Sequence, residues 1–197
     1  AWGGGLGGPP GGGGGGGAAT TTSGGEVNQP VEPEAPRAEV PDDWTAAPEA
    51  LYAALVRSYE NELGGTARDT EGEKRRYLND ARRWARLHSQ RMRETVEWRV
   101  RVVEVEAQGN GAIATLEVIE PGSGLPIGDA FEMELRPREA AKVQEAPDQE
   151  MWTMTGVFVA KPTVDEESGE DRVFSARKLI GPFIAFDWEF NVRALTP

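Results

Sequence analysis

Asp165, Glu166, Glu167, Glu170 and Asp171 crowd the stretch KPTVDEESGED, the densest set of hard oxygen ligands in the chain. Hard cations such as Ca²⁺ are held by several such oxygens at once, which makes Asp165, Glu167, Glu170 and Asp171 candidate ligands. The order is not the D-x-[DN]-x-[DN]-G of an EF-hand loop, so a solvated hairpin tip is the competing reading. A second set is cationic. Arg75, Arg82, Arg86 and Arg93 fall within a band of about 40° when wound at 100° per residue on a helix. Such a band is either the solvated face of an amphipathic helix or a stripe that docks an acidic surface, including one on a second copy of the chain.

Other chemistries lack their residues. The chain has no cysteine, which removes thiolate nucleophiles, disulfides and cysteine-based metal sites. His88 is the only histidine, so a histidine-cluster metal site and a histidine-based triad both lose their parts. Asp187 and Glu189 alternate with Phe186 and Trp188, which places the two carboxyls on the wet side of a strand. A glycosidase pair needs one carboxyl in a desolvated pocket. The glycine run neither follows a strand nor opens a helix, and no G-K-[ST] is present, so it is not a phosphate loop. The expectation is a non-enzymatic chain without a cofactor.

Charge narrows the partners. The 197 residues carry a net charge of −12, which argues against nucleic acid and anionic membrane. Residues 71–101 nevertheless hold ten Lys/Arg against five Asp/Glu, a local +5 that leaves −17 elsewhere. No run of apolar residues is long enough for a transmembrane segment. The chain begins at Ala1, which fits removal of a signal peptide or a trimmed end. Together with the missing cysteine, this sets an extracytoplasmic location, periplasmic or extracellular, as the expectation.

These residues must be positioned by the elements around them. Residues 1–43 form a low-complexity arm: 14 of the first 25 are glycine, and 26–43 are Pro-rich and acidic. The first part reads as a tether, or as backbone packed within an assembly, and the second as a polyproline II strut. Residues 44–95 read as two helices. One starts at a Thr45 N-cap and ends at Gly64–Gly65, with Leu51, Tyr52, Leu55, Val56, Tyr59 and Leu63 on its apolar side. The other starts at a Thr70–Glu73 capping box, runs to about Met92, and buries Tyr77, Ala81, Trp84, His88 and Met92.

From 96 to 197 the period becomes two. EWRVRVVEVEA slips phase at Val102–Val103, which predicts a bulge, and QGNG turns the chain into GAIATLEVIE. DAFEMELR is a third strand and PREAAKVQEA a short helix. MWTMTGVFVA, RVFSARKLI and FIAFDWEFNVRAL follow as strands, the last with Ile184, Phe186, Trp188, Phe190 and Val192 on one face. The predicted fold is α+β: two helices, then an antiparallel barrel or sandwich of five to six strands.

A bent first strand, with a helix between the third and fourth, resembles the OB-fold, a five-stranded Greek-key barrel. The form it most resembles is the OB-like domain of secreted bacterial proteins, distantly similar to tRNA-anticodon-binding modules. There a helix ending in a Tyr–Glu–Asn-type stretch precedes the first strand, and SYENELGG (58–65) is similar to it. The resemblance covers about residues 97–180. The helix within 66–95, the sixth strand and the acidic loop depart from the pattern, so no functional residue carries across.

Two functions follow as expectations. The first is a structural or interaction protein of the envelope or cell exterior. Its arm and charge-complementary surfaces join it to copies of itself or to another envelope protein, as in a filament or surface layer. The second is an OB-type binding module for an oligosaccharide, a peptide or single-stranded nucleic acid.

Overall fold

The computed structural model describes residues 35–171, 175 and 177–197. The glycine-rich tether, the predicted strut as far as residue 34 and the greater part of RVFSAR lie outside the described residues. The described end of the arm, from Ala35, is not a free strut. The Ala38 amide donates to the Pro126 carbonyl at 2.9 Å, and Arg37 pairs with Asp129.

Helix α1 spans Pro48–Glu62 and α2 spans Glu71–Arg91. The predicted Thr45 cap is a correction: the N-cap is Ala47, without a side-chain hydrogen bond. Pro48 at the first position has no N–H to be capped. Thr45 serves the lead-in instead. Its hydroxyl donates to Asp43 at 2.8 Å, and its carbonyl accepts the Trp98 indole N–H at 2.7 Å. The α2 capping box forms as predicted: Thr70 Oγ1 accepts from the Glu73 amide at 3.2 Å, and the Glu73 carboxylate accepts from the Thr70 amide at 3.0 Å.

Strands β1 (Arg93–Gln108), β2 (Gly111–Val118), β3 (Phe131–Leu135), β4 (Met151–Ala160) and β8 (Trp188–Thr196) make one antiparallel sheet in the order β3-β2-β1-β4-β8. Helix α3, Pro137–Glu145, lies between β3 and β4 in the chain. The predicted bulge is present: Val102 pairs with Leu116 and Glu104 with Thr115, leaving Val103 unopposed. The extra residue keeps Val102 and Val105 both on the side of buried Leu116 and Ala114. At the β1–β2 turn Gly109 has φ 58°, the left-handed value that suits glycine at the first position of a tight hairpin.

The sheet is strongly curled. Flat, its edge strands β3 and β8 would lie about 19 Å apart at the usual strand spacing. Yet the rings of Phe131 on β3 and Trp188 on β8 meet at 5.0 Å. Trp98, from the central strand, touches Phe131, Phe158, Trp188 and Phe190 inside the curl. Helices and sheet share one core, with Leu51, Leu55, Tyr77, Trp152 and Phe158 among its largest buried side chains. β4, on which α2 packs, is buried on both faces from Gly156 to Ala160.

The chain after β4 departs from the prediction. FIAFDWEFNVRAL is not one strand. β7 (Ile184–Ala185) joins β5 (Thr163–Val164) and β6 (Leu179–Gly181) in a separate sheet of order β5-β7-β6, and the chain then crosses at Phe186–Asp187 into β8. Of RVFSARKLI, only Leu179 and Ile180 are in a described strand. The result is α+β, with three helices, a curled antiparallel five-stranded sheet and a small three-stranded one.

Candidate functional site

Helix α2 presents two faces of opposite character. Tyr77, Leu78, Ala81, Trp84 and Ala85 are buried. Arg75, Arg76, Arg82, Arg83 and Arg86 are exposed on the other side. Wound at 100° per residue, the five guanidinium groups occupy about 120° of the helix circumference. Only Arg82 has an acidic partner among the described residues, Glu166 at 3.2 Å. Of the predicted stripe, Arg75, Arg82 and Arg86 lie together on the exposed side of α2. Arg93 is a correction: the helix stops at Arg91, and Arg93 opens β1.

The acidic loop does not build a cation cage. Among the described residues no three His, Asp or Glu side chains stand close enough together to hold a metal ion. Asp165, Glu167, Glu170 and Asp171 line an open surface cleft with Arg177. Asp165 is used locally: its Oδ1 accepts the Glu167 amide at 2.9 Å and caps the 3-10 turn Glu166–Ser168. Its Oδ2 lies 3.9 Å from an Arg177 nitrogen. The predicted solvent-facing carboxyls, Asp187 and Glu189, are exposed as expected. Glu189 sits 3.4 Å from Lys161, and hydrogen bonds from Asn191 and Lys161 hold its carboxyl below the ordinary range.

One polar cluster escaped the sequence reading. Ser58 on α1 and His88 on α2 meet at 2.9 Å between Oγ and Nε2, and Trp84 Nε1 donates to the same Oγ at 3.2 Å. The Ser58 hydroxyl also lies 2.7 Å from Glu62, whose carboxylate is 3.6 Å from His88 Nε2. A hydrolytic triad places its acid on the imidazole nitrogen away from the serine. Here the acid shares the serine's side, and Nδ1 has no partner among the described residues. The group ties two helices together rather than activating a nucleophile. Burial lowers the His88 pKa, with Glu62 opposing it.

A scan of protein-family models, a search of curated proteins and a search of solved structures each returned no match. The molecule's own surface is what bears on function. Among the described helices, α2 carries the arginine face, four of whose five guanidinium groups have no acidic partner among the described residues.

Proposed function

We propose that the protein is a non-enzymatic structural or interaction subunit of the cell envelope or exterior, which assembles through charged surfaces. The observation that carries this reading is the α2 face: five exposed arginines, four of them without an acidic partner among the described residues, on a chain of net charge −12. Clustered like charges repel, so leaving them unpaired costs stability unless a partner neutralises them. The Gly-rich arm and the cysteine-free composition suit such a subunit outside the cytoplasm. Light scattering of the full chain at low and high salt tests the reading. Assembly at low salt that falls apart at high salt is the expected result, because exposed ion pairs are screened. A monomer at both salts overturns it.

A second reading rests on a different observation. The order β3-β2-β1-β4-β8, with α3 between the third and fourth strands, matches an OB barrel opened at the junction of its third and last strands. Half-buried Phe131, Trp188 and Phe190 flank that opening. As an OB-type module, the domain binds an oligosaccharide, peptide or single strand there, stacking its rings or bases on aromatics. Quenching of tryptophan fluorescence by oligonucleotides or oligosaccharides, lost on Trp188→Ala, is the outcome that favours this reading over the first.

A further inference from the structure

We infer that the occupant of the α2 arginine face is a second copy of this chain, docking through the outer face of β1–β3. This rests on the assembly reading above and adds the partner and its surface. The pairing register sets the acidic side. Glu104 on β1 and Glu132 on β3 both pair with Thr115 of β2, and Glu106 and Glu134 both pair with Ile113. Directly paired residues share a sheet face, so the four carboxylates form a two-by-two grid on one side of three strands. All four are exposed. The opposite side carries buried Ala112, Ala114 and Leu116.

The two surfaces match in charge and in spacing. Arg76 and Arg83, both exposed and without an acidic partner among the described residues, are seven residues apart on α2, about 10.5 Å along the axis at the usual rise. Glu104 and Glu132 are two strand spacings apart, about 9.6 Å. Arginine suits the contact better than lysine, because its planar fork takes a carboxylate with two hydrogen bonds. Each surface also has an apolar neighbour. The exposed large hydrophobics among the described residues are Val40, Leu87 and Val103. Leu87 borders the arginine face on α2, and Val103 is the bulged residue next to Glu104. Two unlike charged surfaces, each rimmed by an exposed aliphatic side chain, have the polar-and-apolar composition of a docking pair.

No ion pair joins the grid to the α2 face within one chain among the described residues. Arg82 takes Glu166, and the row beside the grid is closed by Arg101 and Glu117, 2.9 Å from Nε to Oε2. α2 packs on β4 and β5, whereas the grid lies on β1 and β3. The contact is therefore between unlike surfaces of two copies, which extends into a series unless the rotation closes.

Charge exchange on the full chain tests the inference. Arg75→Glu, Arg76→Glu, Arg83→Glu and Arg86→Glu together reverse the helix face, and Glu104→Lys, Glu106→Lys, Glu132→Lys and Glu134→Lys together reverse the grid. All eight sites are exposed, so melting temperatures should match the unaltered chain. At low salt each variant alone should scatter as a monomer, while an equimolar mixture should regain at least a doubled mass. If the unaltered chain assembles and the helix variant does not, but the mixture stays monomeric, the partner surface is not the grid. That overturns this inference and leaves the assembly reading standing. If the unaltered chain is monomeric at low salt, both are overturned. If it instead binds a single-stranded oligonucleotide, and the helix variant loses that binding, the occupant is nucleic acid and the inference fails.

Discussion

Phe131 and Trp188 stand on the two edge strands of the five-stranded sheet, yet their rings meet edge to face, with centroids 5.0 Å apart and planes at 86°. The contact draws the edges together without a backbone ladder between β3 and β8, which are not hydrogen-bonded neighbours. Side chains alone close the curl at this point. Aromatic pairs in this geometry contribute about 0.5–1.5 kcal/mol beyond the area they bury. Phe131→Ala and Trp188→Ala, singly and together, should show a coupling of that size in urea unfolding. Strictly additive losses would mean the two edges do not support one another.

Gly156 is where β4 and β8 lose register, and a side chain has no room there. A Cβ would sit against the Phe190 ring and 2.5 Å from the Asn191 carbonyl oxygen. The obstacle includes backbone, so it does not swing aside. Gly156→Ala should therefore cost about 1–3 kcal/mol, as overpacking of a filled core does. Chemical denaturation measures it, and a neutral result would show that the strand pair shifts freely at the bulge.

Local signals were legible where local physics decides the outcome. The Thr70–Glu73 box is satisfied within four residues, the Val102–Val103 slip shows directly in the alternation, and Pro137 opens α3 where the pattern turns helical. Misreadings arose where a distant partner decides. Phe186 and Trp188 continue the alternation of Ile184, but alternation reports only which side is buried and not which sheet accepts the backbone. The Phe186 amide donates to Lys178, whereas the Asp187 carbonyl accepts from Lys161, and that change of partner is the crossing. The helical period pointed to Arg75, Arg82 and Arg86 of the arginine face, missed Arg76 and Arg83, and included Arg93, where the chain had already become strand. The Ser58–His88 contact joins residues 30 apart on two helices and leaves no mark in either helix's own pattern.

Tyr77 is buried, and its hydroxyl donates to the Pro182 carbonyl at 2.7 Å while lying 3.2 Å from the Tyr59 hydroxyl. Tyr77→Phe leaves that carbonyl without its donor, which should cost about 1–3 kcal/mol near neutral pH. Burial, then the Tyr59 hydrogen bond, pushes the Tyr77 pKa well above its ordinary 10. A raised pKa contributes stability that is complete below pH 10 and is lost above it, as the unfolded tyrosine ionises first. The gap between the two proteins should therefore narrow above pH 10. A gap that stays constant to pH 11 would contradict the burial argument.

His88 gives the opposite pH dependence. Burial lowers its pKa below 6.5, against the pull of Glu62, so the folded state resists the charged imidazole. Above pH 6.5 the ring is neutral in both states and its contribution to stability is complete. As the pH falls below 6.5 the unfolded chain takes up the proton first, and stability declines until the folded ring is protonated too. Since the chain has one histidine, its Cε1 proton resonance titrates without overlap from another imidazole. The folded midpoint should lie below 6.5 and fall further in Glu62→Gln, which removes the one carboxylate opposing the shift. A folded midpoint at or above 6.5 would mean that Glu62 outweighs burial. The Ser58–His88–Glu62 contact would then strengthen in acid rather than open.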